Sequence, residues 1–325
     1  MNLFIGIDIG GTKSAVVLAS EENENIKIVE RTQFATLSWR ECIAKFFDII
    51  EELLAKHNVT IDNIRGIGIS CGGPLDSKRG VIMSPPNLIG WDNVEIVKIF
   101  KEKFGVPTFI QNDANACALA EWKFGAGKGT QNMVFMTFGT GLGAGLVLNG
   151  KLYAGTNGNA GEVGHIRLEK FGAVGYGKRG SFEGFCSGSG IAQAARVKAM
   201  ELLQMGKKCG YCKSMSELSE ITAKSVAIFA EAGDVDAIEI YRECGEYLGK
   251  GVSILIDILN PEKVVIGSIY ERSENLLAEA MNNVIKREAL EPSADVCKVV
   301  PAVLGNSIGD YAAISVAIEG YVGNL

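Results

Sequence analysis

The segment LFIGIDIGGTKS (residues 3–14) opens on an apolar run and turns at residues 10–12 into a second apolar run, SAVVLAS (14–20). Together with IKIVERT (26–32), this pattern predicts three strands joined by tight turns, an antiparallel meander. The segment TFGTGLGAG (137–145) repeats the same arrangement of a strand, a turn of glycine and threonine, and another strand. The duplication predicts two related α/β lobes with a cleft between them.

The rest of the chain fits two domains rather than one. Its 325 residues are long for a single core. We expect a small N-terminal α/β domain at 1–117, joined by a C-terminal helix at 306–325, and a large α/β domain at 118–305. Within the first domain, TFIQND (108–113) is predicted to be a short strand, followed by an alanine-rich helix.

Composition excludes several classes of function. A net charge of −6 argues against a nucleic-acid partner, because phosphate contacts need clustered lysine and arginine. No apolar run approaches the roughly 20 residues that span a bilayer, so no membrane association is expected. Eight cysteines without a secretion signal indicate reduced thiols and a cytoplasmic location. The 40 glycines cluster at loops, which suggests backbone lying close to a ligand.

The turn at residues 10–13 fails as a P-loop, because Thr12 separates Gly11 from Lys13 and a strand follows it. The alternatives are a turn whose N–H groups face a phosphate and a plain hairpin turn. In the first case Asp8, at the end of its strand, is placed to hold a hydrated Mg²⁺.

The second turn imitates a dinucleotide-binding fingerprint through Gly139, Gly141 and Ala144. That fingerprint must open a helix, and here a hairpin follows, with its turn at Asn149-Gly150. What remains is a turn that offers backbone N–H groups and the hydroxyls of Thr137 and Thr140 to phosphate oxygens.

Asn112 and Asp113 lie at the end of a strand, just before a helix. A carboxylate here can accept the proton of a hydroxyl that attacks a γ-phosphate. The alternative is that Asp113 is only the N-cap of that helix.

Taken together, these segments resemble the ROK family (repressor, open reading frame, kinase), which contains bacterial sugar kinases and sugar-sensing repressors of the actin–hexokinase superfamily. The resemblance covers nearly the whole chain. It rests on DIGGTK (8–13), CGGP (71–74), PNLIGW (86–91), QNDANACALAE (111–121), FGTGLGAGLVLNGKLYAGTNGNAGEVGH (138–165) and LGNSIGDYAA (304–313). It implies a two-lobed actin-like ATPase (ribonuclease H-like) fold with an interdomain cleft.

The resemblance also implies roles for individual residues. Asp113 matches the general base, and Asp8 is similar to the residue that meets Mg²⁺ through water. The positions implied to contact the sugar are Gly72, Asn87, Asn112, Asp113, Glu162, His165 and Glu183. Those implied to bind ATP are Asp8, Gly10, Gly11, Thr12, Lys13, Thr137, Gly139, Thr140 and Gly141, together with Gly267, the one clear match to a triple-glycine adenosine loop.

The chain departs from the family in the loop GHIRLEKFGAVGYGKRGSFEGF (164–185). Where relatives carry three zinc-binding cysteines, this chain has Val174, Tyr176 and Ser181, so no structural zinc is expected. We hypothesise that Val174, Tyr176 and Phe182 replace the metal by packing around the glycine turns. A relocated metal site at His165, Cys186, Cys209 and Cys212 is the alternative.

The function implied is transfer of a phosphoryl group from Mg-ATP to a hydroxyl of glucose or a closely related sugar. N-acetylmannosamine, fructose, allose and β-glucosides are alternative substrates. The competing class is a sugar-sensing regulator, which in this family needs a DNA-binding region ahead of the first strand, whereas this sequence starts two residues before it. The resemblance further implies a homodimer.

Overall fold

The computed structural model describes residues 2–23, 25–323 and 325. Its strands are β1 (Asn2–Ile9), β2 (Lys13–Glu22), β3 (Asn25–Ala35), β4 (Ile64–Cys71), β5 (Leu75–Asp76), β6 (Val81–Ile82), β7 (Thr108–Asn112), β8 (Met133–Phe138), β9 (Leu142–Leu148), β10 (Lys151–Leu152), β11 (Val174–Gly175), β12 (Lys178–Arg179), β13 (Lys263–Ser268) and β14 (Lys298–Pro301). Its α-helices are α1 (Trp39–Lys56), α2 (Ile96–Phe104), α3 (Asp113–Phe124), α4 (Phe182–Phe185), α5 (Gly188–Gln204), α6 (Ala223–Glu231), α7 (Val235–Leu259), α8 (Ile269–Glu288), α9 (Glu291–Val296) and α10 (Ile308–Tyr321). Short 3-10 helices lie at Ile61–Asn63, Val163–His165, Met215–Glu220 and Gly305–Ser307.

The chain divides into two compact units. Unit 1 contains residues 1–131, 145–160 and 304–325, and unit 2 contains residues 132–144 and 161–303. Residues 118–131 and 145–160 belong to unit 1, whereas the predicted domain bounds placed them in the second domain. The division of the chain into separately folding domains at residue 117 stays a prediction.

Unit 1 is built on a five-stranded sheet in the order β3-β2-β1-β4-β7. The first three strands form the predicted antiparallel meander, which is confirmed. Strand β4 runs parallel to β1, and β7 runs parallel to β4. Apolar side chains of α1 and α2 join the strands in one buried cluster, and Ile314 and Ala317 of α10 join Phe4 and Val17 in another. The sheet is thus covered by helices on both faces, as parallel strands require.

Unit 2 contains the strand order β9-β8-β13-β14, in which β13 is parallel to both β8 and β14. The predicted strands at 133–138 and 263–267 are confirmed. Strand β9 continues past Ala144 into unit 1, where it pairs with β10 through the predicted turn at Asn149-Gly150, both with positive φ. The helices α4 to α9 complete the unit, and the chain as a whole has the predicted α/β class.

None of the helices in the described parts of the chain combines the length and the apolar character that a bilayer crossing requires.

Candidate functional site

Three parallel strands of unit 1 end side by side and bring predicted site residues to one edge of the sheet. In the register of the sheet, Asp8 lies beside Ser70, and Cys71 lies beside Asn112. Ligand sites of α/β proteins lie outside the carboxyl ends of parallel strands. The end of β1, the turn after β4 and the start of α3 therefore form the candidate site of unit 1.

Asp8 is a carboxylate of this edge with a strongly raised pKa. Burial, followed by repulsion from the carboxylates of Asp310 and Asp113, raises the pKa of Asp8 to about 6. Arg31 acts in the opposite direction, but its guanidinium Nε is bonded to Asp310 at 2.8 Å. A Cβ added to Gly309 in the first turn of α10 would lie 2.7 Å from Asp8 Oδ2, so the helix packs against the carboxylate at a position where only glycine fits. A buried carboxylate whose ionisation is opposed by two neighbouring carboxylates is a surrounding that favours a cation.

The turn at residues 10–13 has the predicted form, since it leads into strand β2 and not into a helix. The N–H of Gly10 donates to the carbonyl of Lys13 at 3.0 Å, and the Thr36 hydroxyl donates to the carbonyl of Gly10 at 2.6 Å. The N–H groups of Gly11 and Thr12 have no hydrogen-bond partner among the described residues. Residues 11–13 are exposed, so these two N–H groups are the donors that the turn can offer to a phosphate.

Asn87 lies against this turn. A Cβ added to Gly11 would come within 2.8 Å of the Asn87 carbonyl oxygen and 2.9 Å of the Asn87 Cβ. The structure therefore brings together one predicted sugar contact and one predicted phosphate turn within unit 1.

Asn112, and not Asp113, is the N-cap of α3. The Asn112 side chain accepts a hydrogen bond from the N–H of Ala114 at 3.0 Å. Asp113 is the first residue of the helix, is exposed, and accepts from the same N–H through Oδ1 at 2.8 Å. The alternative that Asp113 is only the N-cap is thus wrong, because its neighbour satisfies that role.

Gly72 and Gly73 face this pair. A Cβ on Gly72 would lie 3.8 Å from Asp113 Oδ2, and one on Gly73 would lie 3.1 Å from Asn112 Nδ2. The turn after β4 therefore approaches both side chains without a side chain of its own.

Sequence reasoning missed Asp310 and Arg31. Asp310 is almost buried in the first turn of α10 and takes part in the electrostatics of Asp8. An acidic residue in a first helical turn is common, so the segment LGNSIGDYAA carried no clear sign of this role. Arg31 lies in β3, and its partner is 279 residues away in the chain, a distance that no local pattern reveals.

In unit 2, the turn after β8 is fixed by its own hydrogen bonds. The N–H of Gly139 donates to the carbonyl of Gly141 at 3.0 Å. At the start of α5, Gly188 N–H donates to the Gly139 carbonyl at 2.8 Å and Ser189 N–H to the Thr140 carbonyl at 3.3 Å. These hydrogen bonds fix the shape of the turn.

Gly267 is brought to this turn by the sheet. It lies beside Thr137 in the parallel register of β13 and β8. The following residue, Ser268, has φ +65°, a conformation that favours glycine, and its N–H donates to the Glu271 carboxylate at 2.6 Å. The serine therefore keeps a backbone shape typical of glycine in the predicted adenosine loop.

Glu183 lies against the same turn. Its Oε2 accepts a hydrogen bond from the N–H of Leu142 at 3.0 Å. A Cβ on Gly141 would lie 2.7 Å from that oxygen, and one on Gly164 would lie 2.1 Å from the Leu142 carbonyl oxygen. Glu183 therefore lies close to Gly141 and Leu142 of the glycine turn. Gly164, which precedes His165, also lies close to Leu142.

The loop 164–185 contains a two-residue hairpin that sequence reasoning missed. Strands β11 and β12 pair antiparallel, and the turn residues Tyr176 and Gly177 have φ +43° and +73°. Two central residues with positive φ form the turn type that matches the twist of a hairpin. Tyrosine is not typical of this position, which is why the pattern gave no signal.

The packing hypothesis for this loop is wrong for two of its three residues. Phe182 is fully buried. Val174 is 44% exposed and Tyr176 is 77% exposed, so neither packs around the glycine turns. The reason is the hairpin, which directs both away from the core of unit 2.

Hydrogen bonds from side chains to the backbone fasten the loop instead. Lys178 Nζ donates to the carbonyl of His165 at 2.6 Å. The Gln193 amide bonds both the N–H and the carbonyl of Val174, at 3.0 and 3.4 Å. The Ser181 hydroxyl donates to the Gly175 carbonyl at 3.3 Å and accepts from Gly184 N–H at 3.1 Å.

Glu162 and His165 are exposed at the two ends of a 3-10 turn in unit 2. The ring of Tyr176 meets the His165 ring edge-on, with centroids 6.4 Å apart. The structure thus places His165 beside the hairpin that replaces the expected cysteine positions.

The residues of the alternative metal site have other partners. Cys186 Sγ donates to the Cys244 carbonyl at 3.4 Å, and Cys212 Sγ donates to the Ser214 carbonyl at 3.3 Å. In the part of the chain that the structure describes, no group of three or more histidine, cysteine, aspartate or glutamate side chains is placed to hold a metal directly.

Comparisons with known proteins extend over the whole chain. A family model described as "ROK family" matches residues 4–319. A glucokinase of Halalkalibacterium halodurans is 32% identical over 311 residues, 94% of this chain and 92% of the relative. A xylose repressor of Caldicellulosiruptor bescii is 31% identical over 88% of this chain and 70% of its own length.

Among solved structures, a ROK family glucokinase from Streptomyces griseus, in complex with glucose and AMPPNP, superimposes with a TM-score of 0.74. It is 28% identical and covers 98% of this chain and 100% of the other. Together with the sheet topology, this similarity is consistent with the predicted actin-like ATPase fold.

Proposed function

Because the chain belongs to the ROK family, we propose that it is a kinase that transfers the γ-phosphoryl group of ATP to a hydroxyl of glucose or a closely related hexose. Relatives named glucokinase support this proposal, as does the similarity to a glucokinase that binds glucose and an ATP analogue.

The observation that carries the proposal is the position of Asp113. It is an exposed carboxylate at the carboxyl end of a parallel strand, and it is close enough to the perturbed Asp8 to raise its pKa. In the proposed reaction Asp113 accepts the proton of the attacking sugar hydroxyl. The Ala114 N–H donates to Asp113 Oδ1 at 2.8 Å, which orients this carboxylate.

The remaining side chains bind and orient. Hydroxyls of the sugar are proposed to bond Asn87, Asn112, Glu162, His165 and Glu183, with Gly72 leaving room at the ring. The phosphates of ATP are proposed to lie on residues 10–13, where Gly11 and Thr12 offer N–H groups, and on Thr137, Gly139, Thr140 and Gly141, with Gly267 toward the adenosine. Positioning of this kind accounts for most of catalysis in phosphoryl transfer.

The carboxylates near Asp8 fit a hydrated Mg²⁺. Repulsion among Asp8, Asp310 and Asp113 is relieved by a divalent cation, and the described residues offer no directly ligating group of three. When bound, the ion would neutralise charge on the transferred phosphate. Asp8 would hold its water shell through hydrogen bonds.

The test is an ADP-release screen of the purified protein against glucose, N-acetylmannosamine, fructose, allose and β-glucosides. With the best substrate from this screen, Asp113→Asn should lower kcat by about 10³-fold, while the KM for the sugar changes less than threefold. Asp62→Asn, an exposed carboxylate in the turn at 61–63, is the matched control and should leave both constants unchanged.

The competing function is a sugar-sensing regulator, which the similarity to a repressor brings into consideration. A protein that binds a sugar in calorimetry but releases no ADP with any substrate would support that class and contradict the kinase. Near-normal turnover of Asp113→Asn would leave the kinase standing and remove Asp113 as its base. The cytoplasmic location and the homodimer stay predictions.

A further inference from the structure

A groove of about 580 Å³ lies on unit 1. Its walls are the turn between β5 and β6, the helix α2 and the edge strand β7. This volume lies within the range of sites that hold small molecules. Nothing in the proposed kinase reaction uses these residues.

Four cationic side chains line the groove, and two carboxylates oppose them. The cations are Lys78, Arg79, Lys98 and Lys101, and the carboxylates are those of Glu102 and of the terminal residue Leu325. The protein as a whole carries a net charge of −6, so the local excess of positive charge at the groove is opposite in sign to the net charge of the chain. A concave surface with one sign of charge concentrates small ions of the opposite sign.

The partners that these cations already have are weak. Lys98 pairs with Glu95 at 3.1 Å, and both side chains are more than half exposed. Lys78 Nζ lies 3.5 Å from the Thr156 carbonyl oxygen, at the limit of a hydrogen bond. Exposed contacts of this kind contribute little, so both side chains can turn to a ligand at small cost.

The walls are fixed by hydrogen bonds before any ligand binds. Val97 N–H of α2 donates to the Gly80 carbonyl at 3.2 Å, and Gly80 N–H donates to the Asp76 carbonyl at 2.8 Å. Arg79 N–H donates to Asp76 Oδ1 at 2.9 Å. The backbone that carries Lys78 and Arg79 is therefore held against the helix that carries Lys98 and Lys101, an arrangement that lowers the entropic cost of binding.

The strand side of the groove suits the carbon skeleton of a ligand. Residues Thr108–Gln111 of β7 line it, together with Val97 and Leu325. Gln111 is buried, and its Oε1 accepts from Asn115 Nδ2 at 3.3 Å, which orients the amide. As the last strand of its sheet, β7 also has backbone groups on its outer edge without a partner strand, able to bond hydroxyls.

We infer that this groove is a second binding site, which takes a small organic phosphate: the phosphate lies among Lys78, Arg79, Lys98 and Lys101, and the carbon skeleton lies along β7. The site does not depend on the proposed kinase activity. The groove is adjacent in the chain to the proposed kinase site, because Gln111 directly precedes Asn112 and Asp113.

The experiment is isothermal titration calorimetry of the full chain with glycerol 3-phosphate at low ionic strength, with glucose present. The expected dissociation constant is on the order of 0.1–1 mM. The double variant Arg79→Gln/Lys101→Gln should weaken binding at least tenfold, because it removes two charge-assisted hydrogen bonds. Raising the salt from low to about 0.2 M should weaken binding to the native chain as well.

Two control proteins separate this site from others. Lys27→Gln/Lys103→Gln removes the same charge from exposed positions outside the groove, and should bind normally. Lys13→Gln changes the proposed phosphate turn of the kinase site, and should also bind normally.

The proposal fails if glycerol binds as well as glycerol 3-phosphate, or if no phosphate ester binds the native chain. It fails equally if the Arg79→Gln/Lys101→Gln protein, with an unchanged melting temperature, keeps native affinity, or if Lys13→Gln alone abolishes binding. None of these results bears on ADP release, so the kinase proposal is tested separately.

Discussion

The carboxylate cluster of unit 1 (Asp8, Asp113 and Asp310) and the loop 164–185 of unit 2 hold their functional groups in different ways. The cluster stands at the ends of regular elements: Asp8 on β1, Asp113 on α3 and Asp310 on α10. The loop has only two short strands and a one-turn helix, and it is held by side chains such as Lys178 and Gln193 that bond its backbone.

This difference predicts how each region responds to change. A sheet with helices on both faces keeps its carboxylates close together although they repel one another, so removal of the Asp8 charge should stabilise unit 1. The loop has no such support, so removal of one hydrogen bond between a side chain and its backbone should move a proposed sugar contact without unfolding the unit.

The largest expected effect is that of Asp8→Asn. At pH 7 native Asp8 is mostly ionised, because this pH is above its pKa of about 6. The ionised form is disfavoured in the fold, because burial and the neighbouring carboxylates raise the pKa above its ordinary value. A raised carboxyl pKa stabilises the fold below the unfolded pKa, near 4, and this contribution is lost as pH rises through 6. The variant should therefore raise the free energy of unfolding at pH 7 by about 2 kcal/mol, and by little near pH 4.

The catalytic activity of Asp8→Asn should fall although its stability rises. If Asp8 holds the hydrated ion, kcat should be lower by two orders of magnitude or more. Urea unfolding followed by tryptophan fluorescence measures unit 1 alone, since Trp39, Trp91 and Trp122 all belong to it. Asp310→Asn is the control, because it also removes a charge but breaks the 2.8 Å bond to Arg31 and should destabilise. A less stable Asp8→Asn at pH 7 would contradict the electrostatic account.

The second effect is that of Lys178→Met in the loop. Loss of the 2.6 Å bond to the His165 carbonyl should raise the KM for sugar about three- to tenfold and change kcat less than twofold, because it displaces His165, a proposed sugar contact, and leaves the proposed base Asp113 in place. Arg179→Met, the next residue in the same hairpin, removes an equal charge whose side chain has no such bond and should change neither constant. Equal effects of the two variants would show that charge alone, and not the fastening bond, matters.

The same difference explains what could be predicted from sequence. Alternating and continuous apolar runs determine strands, and the carboxyl ends of parallel strands meet. The pattern therefore predicted the meander, β7 and the helix after Asp113 correctly. The pairing of Asp310 with Arg31 could not be predicted, because it depends on two side chains that only the packing of α10 brings together.

The loop 164–185 was harder for a physical reason. Its shape follows from single hydrogen bonds, such as that of Gln193 with Val174, and not from a repeating pattern. A hypothesis based on apolar side chains found the buried Phe182 and misplaced Val174 and Tyr176. Glycine-rich sequence indicates where backbone turns, but the residue that fastens each turn is set by the fold around it.

The smallest expected effect is that of Tyr176→Asn at the hairpin turn. Asparagine adopts positive φ more readily than tyrosine, and Tyr176 is 77% exposed at φ +43°, so the variant should stabilise the hairpin by about 0.5–1 kcal/mol. Hydrogen exchange of the amides in residues 174–179 measures this directly. Gly177→Ala, at φ +73° in the same turn, should have the opposite sign at about 1 kcal/mol. Faster exchange through the whole loop in Tyr176→Asn would contradict this expectation. It would show that the contact between the rings of Tyr176 and His165, and not the turn, stabilises the hairpin. The loop would then depend on side-chain packing, as the carboxylate cluster does.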